Sequence, residues 1–184
     1  MTAPIKPNPP KFVPGNRGLS DAWKNYFSTP YVSDTLSRLV GQGPPVEVSS
    51  VPRPPEEDPK LQGGTTNAGT LLMYERPDDG VFTHELGHVL DVRSQETGDA
   101  LEVTETLRAI FNTKRPEGFT YESATGNLPA EYVAETFRSA MEIVRSPKEQ
   151  QQRDLQLSER SFPGITLWYN WIQQRLNGNK TAAK

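Results

Sequence analysis

The chain contains two histidines, and they stand four residues apart in His84-Glu85-Leu86-Gly87-His88. No other feature constrains the fold as tightly. Positions i and i+4 share one face of an α-helix, so this stretch must be helical if both imidazoles serve one purpose. The neighbouring residues agree. Phe82, Leu86, Val89 and Leu90 recur at helical spacing on one side, and His84, His88 and Asp91 fall opposite. Asp78 or Asp79 is placed to cap the start, and Gly80 reads as the turn before it. One face is therefore expected in a core and the other at a cleft. Gly87 runs against the pattern, because glycine in a helix costs about 1 kcal/mol relative to alanine. Close packing against a neighbour would account for it.

Two imidazoles on one helical face suit a single zinc ion. Glu85 directly follows the first of them and can reach a water held there, as a general base. A catalytic zinc takes a third protein ligand. With no further histidine and no cysteine in the chain, that ligand must be a carboxylate. Asp91 lies on the histidine face, but a rigid helix has difficulty wrapping three successive turns around one ion. Glu96, Glu102 and Glu105 lie in or after the loop that follows. Glu131 begins a separate helix in which Val133, Phe137, Ala140 and Val144 form the apolar side, with Glu131, Glu135 and Glu142 opposite. That helix can lie across the cleft from the histidines, but the pattern alone leaves the third ligand open.

The rest of the chain divides by its prolines. Twelve of the 17 fall within residues 1–60. Residues 1–64 are expected to form an arm, extended over 1–18, with short helices at 20–27 and 33–40 capped by Ser20 and Ser33. A short strand follows at 46–51, then a proline-rich loop that continues through Gly63-Gly64. Residues 65–178 are expected to form the compact domain and 179–184 a polar tail. In that domain, residues 70–74 read as a strand that either lines the cleft or sits in the core. Helices are expected over 99–113, 129–144 and 163–176, with a charged, Gln-rich connector after Pro147. The arm lacks the composition for its own core. Trp23, Tyr26 and Phe27 are its natural anchors, on a multi-subunit assembly or on the chain's own domain.

A net charge of -3 with both signs interspersed argues against nucleic-acid binding, and Lys180 and Lys184 are too few to change that. No stretch is long and apolar enough for a membrane span, and the first residues lack the apolar run of a Sec signal. Cytoplasmic residence, incorporation in a particle and export by another route remain open.

Residues 79–91 resemble the active-site helix of the anthrax lethal factor catalytic domain. Glu131-Tyr132-Val133-Ala134-Glu135-Thr136-Phe137-Arg138 is similar to that family's second signature. The likeness runs from about residue 70 to 176 and extends to the related Pro-Pro endopeptidases. It implies an α+β, zincin-like peptidase with a small sheet and a helical C-terminal part. It also implies Zn2+ held by His84, His88 and Glu131, with Glu135 orienting a ligand. Phe119-Thr120-Tyr121 matches less closely, and it implies Tyr121 as donor to the oxyanion. The expected activity is cleavage of an extended protein segment by metal-activated water. The alternative is a structural or interaction component of a larger assembly, such as a phage particle, built on a peptidase-like fold.

Overall fold

The computed structural model describes residues 11–41, 43–52, 63–65, 70–74, 76–116, 119 and 126–178. Its N-terminal region is punctuated into short elements. Strand β1 spans Phe12–Pro14, and helix α1 spans Asp21–Phe27 with Ser20 as N-cap, accepting from the Trp23 amide. A wide π-helical segment, Tyr31–Leu36, starts after Pro30 and runs into the helical turn α2, Ser37–Leu39. Ser33 therefore lies inside this element and does not cap it. Strand β2 spans Val46–Val51 as expected. Strands β3, Gly63–Thr65, and β4, Leu71–Tyr74, follow. The loop expected at Gly63-Gly64 is thus a strand. It pairs through backbone groups alone, so its composition gives no strand signal.

The four strands form one sheet in the order β1-β2-β4-β3. The first three run parallel, with Phe12 opposite Val46 and Val48 opposite Leu71. Strand β3 is antiparallel at the edge, with Gly64 opposite Leu72.

Five longer helices complete the α+β fold: α3, Asp79–Thr97; α4, Leu101–Thr113; α5, Leu128–Arg145; α6, Lys148–Ser161; and α7, Ile165–Asn177. Asp78 caps α3 by accepting from the Val81 amide, so Gly80 belongs to the helix and not to the turn before it. Gly98 ends α3 in the left-handed conformation, at φ 75°, which a residue without Cβ adopts freely. Helix α6 replaces the expected connector. Its Lys, Glu, Gln, Arg and Leu residues have good helix propensity, and only Gln151 and Leu155, one turn apart, are buried. The Gln151 amide donates to the Val144 and Ser146 carbonyls at the end of α5, and its Oε1 accepts from the Tyr169 hydroxyl. Two anchors therefore hold a helix that is otherwise solvated. Among the described residues no helix is long and apolar enough to cross a membrane.

One core joins the described residues of both regions. Phe12, Trp23, Val32, Leu36, Leu39, Val46 and Val48 belong to the same apolar cluster as Phe82, Leu86, Phe137 and Trp168. The packing thus shows no boundary near residue 65. The described part of the expected arm is integral to the domain, and it is anchored by the expected aromatic residues. Phe12, Trp23, Tyr26 and Phe27 surround Phe82, with ring centroids 5.4, 5.7, 5.5 and 5.7 Å from it. Polar ties accompany the stack. The Tyr26 hydroxyl donates to Asp79 at 2.9 Å, Tyr31 and Thr83 share a 2.6 Å hydrogen bond, and Arg145 of α5 pairs with Asp79 while lying over the Tyr31 ring. Burial, followed by the bond to Asp79, pushes the Tyr26 phenol above the usual tyrosine range.

Candidate metal centre

Helix α3 is more deeply enclosed than a two-faced pattern suggests. Phe82 and Leu86 are buried as expected, but so are His84 and Glu85 on its other sides. The reason is α5, which packs along the histidine face. A Cβ on Gly87 would meet the Ala134 Cα at 2.8 Å and its carbonyl oxygen at 3.1 Å. Gly87 thus lets the two helix backbones approach closely, which accounts for a residue that weakens the helix itself.

Asn127 caps α5, and Pro129 sits in its first turn, where the missing N–H costs nothing. With Val133, Phe137 and Ala140 turned into the core, Glu131 and Glu135 project toward α3. Glu131 Oε2 lies 3.2 Å from His84 Nε2 and 3.4 Å from His88 Nε2. The three ligand atoms offered by His84, His88 and Glu131 all lie within 4.8 Å of one another. The donor set could hold a metal ion. Four-coordinate geometry at zinc–nitrogen and zinc–oxygen lengths places neighbouring ligand atoms about 3.3 Å apart, and both separations from Glu131 Oε2 match that value.

His84 Nδ1 contacts Glu135 Oε2 at 3.1 Å. With Nδ1–H donating there, Nε2 is left to face Glu131 and His88. Arg138, one turn further along α5, grips both oxygens of Glu135, one of them at 2.9 Å, and also reaches Glu142. The electrostatics reflect this crowding. Burial opposes charge on His84, but Glu131 and Glu135 overcome it and lift the imidazole to about 9. Burial likewise opposes the charged forms of both glutamates. Hydrogen bonds from His84 and His88 nonetheless hold Glu131 at about 2, and Arg138 and His84 hold Glu135 at about 2. The carboxylates and imidazoles thus compensate one another's charge.

The remaining candidates separate clearly. Asp91 is buried but stands outside the ligand group, and Arg108 of α4 pairs with its Oδ2. Among the described residues its Oδ1 is buried with no hydrogen-bond partner, a condition that costs about 1–3 kcal/mol where nothing compensates it. Burial raises the Asp91 carboxyl, while Arg108 and His88 oppose the shift. Glu96, Glu102 and Glu105 are exposed and outside the group. Glu85 is 8% exposed and its charge is felt at His84. Tyr121 lies outside the described residues. Sequence reasoning gave no role to Arg138, although its i,i+3 spacing from Glu135 on one helix face was a usable signal. It also gave none to Arg108, which no local pattern connects to Asp91.

Of the two readings of residues 70–74, the strand within the core is the one the sheet fits. Residues 71–74 form β4, whose two edges are taken by β2 and β3. Among the described strands, the outer edge on this side belongs to β3, which lies against α3.

No protein-family model, no curated protein and no solved structure matches this chain.

Proposed function

We propose that this protein is a zinc-dependent endopeptidase of the lethal-factor type, with a zincin-like domain. The observation that carries the reading is the convergence of two imidazole nitrogens from α3 on one carboxylate oxygen from α5, at 3.2 and 3.4 Å. In this reading His84, His88 and Glu131 hold the ion. A zinc ion so held supplies Lewis acidity and an acidified water at neutral pH. Glu85 receives the proton of the attacking water and returns it to the leaving amine nitrogen. Glu135, gripped by Arg138, keeps the His84 ring oriented. Tyr121 donates a hydrogen bond to the oxyanion. An extended protein segment adds to the outer edge of β3, where backbone groups supply affinity.

The topology supports this assignment. Parallel strands, an antiparallel edge strand beside the histidine helix, and a strand leading directly into that helix are compatible with an extended substrate running near the proposed zinc.

Replacement of Glu85 by Gln tests the mechanism. Zinc content and stability should be retained while cleavage of a peptide library falls by about 10²- to 10⁴-fold. Near-normal turnover would rule the base out. Tyr121→Phe should lower turnover by about 10²- to 10³-fold at constant zinc content, and an unchanged rate would remove Tyr121 from the mechanism. A zinc-loaded wild type that cleaves nothing would favour the assembly-component alternative.

A further inference from the structure

Helix α3 carries one more buried carboxylate on its histidine side, and the reading above leaves it without a task. Asp91 stands three residues after His88 and is 3% exposed. Its Oδ2 is gripped by Arg108, and its Oδ1 is buried without a donor among the described residues. A carboxylate oxygen in that state marks a place where a donor belongs.

Helix geometry identifies the donor. Side chains lean toward the helix N-terminus, so residue 91 covers the turn that carries His88. The His88 ring offers Nε2 to Glu131 at 3.4 Å, and its Nδ1 has no partner among the described residues. The other histidine shows the completed arrangement. His84 Nδ1 meets Glu135, and an arginine fixes that carboxylate from behind. Asp91 and Arg108 repeat the pattern beside His88, with one oxygen held by the arginine and one left over. Each arginine–carboxylate pair is neutral, so both can orient an imidazole without adding net charge to the centre.

We propose that Asp91 is a positioning residue for His88, its Oδ1 accepting the Nδ1–H bond once Nε2 faces the metal. A small rotation of the ring or one bridging water completes the contact. The bond fixes the tautomer and strengthens the imidazole as a ligand. This inference rests on the reading of His84, His88 and Glu131 as a zinc site.

The test uses full-length chain labelled with 15N at histidine, where only two imidazoles contribute signals. In the zinc-loaded wild type, both rings should show a protonated, slowly exchanging Nδ1. In Asp91→Ala, the His88 Nδ1–H signal should be lost to exchange while that of His84 persists, and zinc affinity should fall about tenfold. In Asp91→Asn, whose amide oxygen is a neutral acceptor, the His88 signal should move upfield alone and part of the affinity should return. A purely structural tie to Arg108 would change stability without touching the His88 ring. An unchanged His88 signal in the Ala variant, or in the Asn variant if the Ala variant does not fold, overturns the proposal and leaves the metal centre standing. Zinc that perturbs neither ring in the wild type refutes the metal centre, and the proposal falls with it.

Discussion

The α3–α5 pair and the N-terminal region meet at Phe82, and their sequences announce them very differently. The pair is written in helical periodicity, with apolar residues turned inward and the two histidines and Glu131 turned toward each other. Residues 11–51 look like a solvated arm, yet Trp23, Leu36, Leu39, Val46 and Val48 are fully buried. Average composition describes how much of a segment faces water. It does not describe the few large side chains that tie it down. Proline helps such a segment dock, because a stiff chain loses less conformational entropy on ordering.

The most severe way to break this comparison is to delete residues 1–64. If the region is integral, the shortened chain should lose cooperative unfolding and its near-UV dichroism, because the Phe82 face of α3 is left bare. A truncated chain that unfolds cooperatively and binds zinc as the full chain does would restore the picture of an arm and a separate domain. A finer version is Trp23→Ala. Emptying this wholly buried site should cost about 3–5 kcal/mol in urea denaturation. A cost typical of a surface residue would place Trp23 outside the core.

On the other side of the comparison, Gly87→Ala probes the helix pair. Alanine gains about 1 kcal/mol of helix propensity, but its Cβ would strike the Ala134 backbone, and overpacking costs about 1–3 kcal/mol. The expected result is net destabilisation together with weaker zinc binding, because α5 carries Glu131. A more stable variant with unchanged zinc affinity would show that the close approach is dispensable.

The smallest effect is a pH dependence confined to the proposed metal site. His84 is held above its ordinary value, at about 9. Its contribution to stability is therefore fully present below pH 6.5 and is lost as pH rises through 9. Glu131 and Glu135, held at about 2, contribute above pH 4.5 and lose that contribution as pH falls through 2. Metal-free protein should therefore lose stability between pH 6.5 and 9. Zinc-loaded protein should not, because its imidazoles are already neutral. Equal slopes with and without zinc, in urea titrations across this range, would contradict the assignment.

The sequence is most legible where the signal is local and periodic. The helical spacing of His84 and His88 and the two-sided pattern of α5 bring out α3, α5 and the facing of Glu131. Legibility fails where structure depends on distant partners. Strand β3 is held by backbone pairing to β4, and its two glycines look like a loop. Helix α6 rests on Gln151 and Leu155, one of them polar, so no apolar stripe marks it. The Asp91–Arg108 tie crosses from α3 to α4 and leaves no spacing to read. Pairing of β1 with β2, and of β2 with β4, likewise joins segments distant in the chain and leaves no local spacing to read.

Metal analysis of the purified chain tests the central claim most directly. The account predicts about one zinc per chain, the content of a single catalytic site. It further predicts loss of that zinc in His84→Ala and His88→Ala, and at least tenfold weaker binding in Glu131→Ala. A wild type that binds no zinc, or a variant lacking both histidines that holds it as tightly, would contradict it.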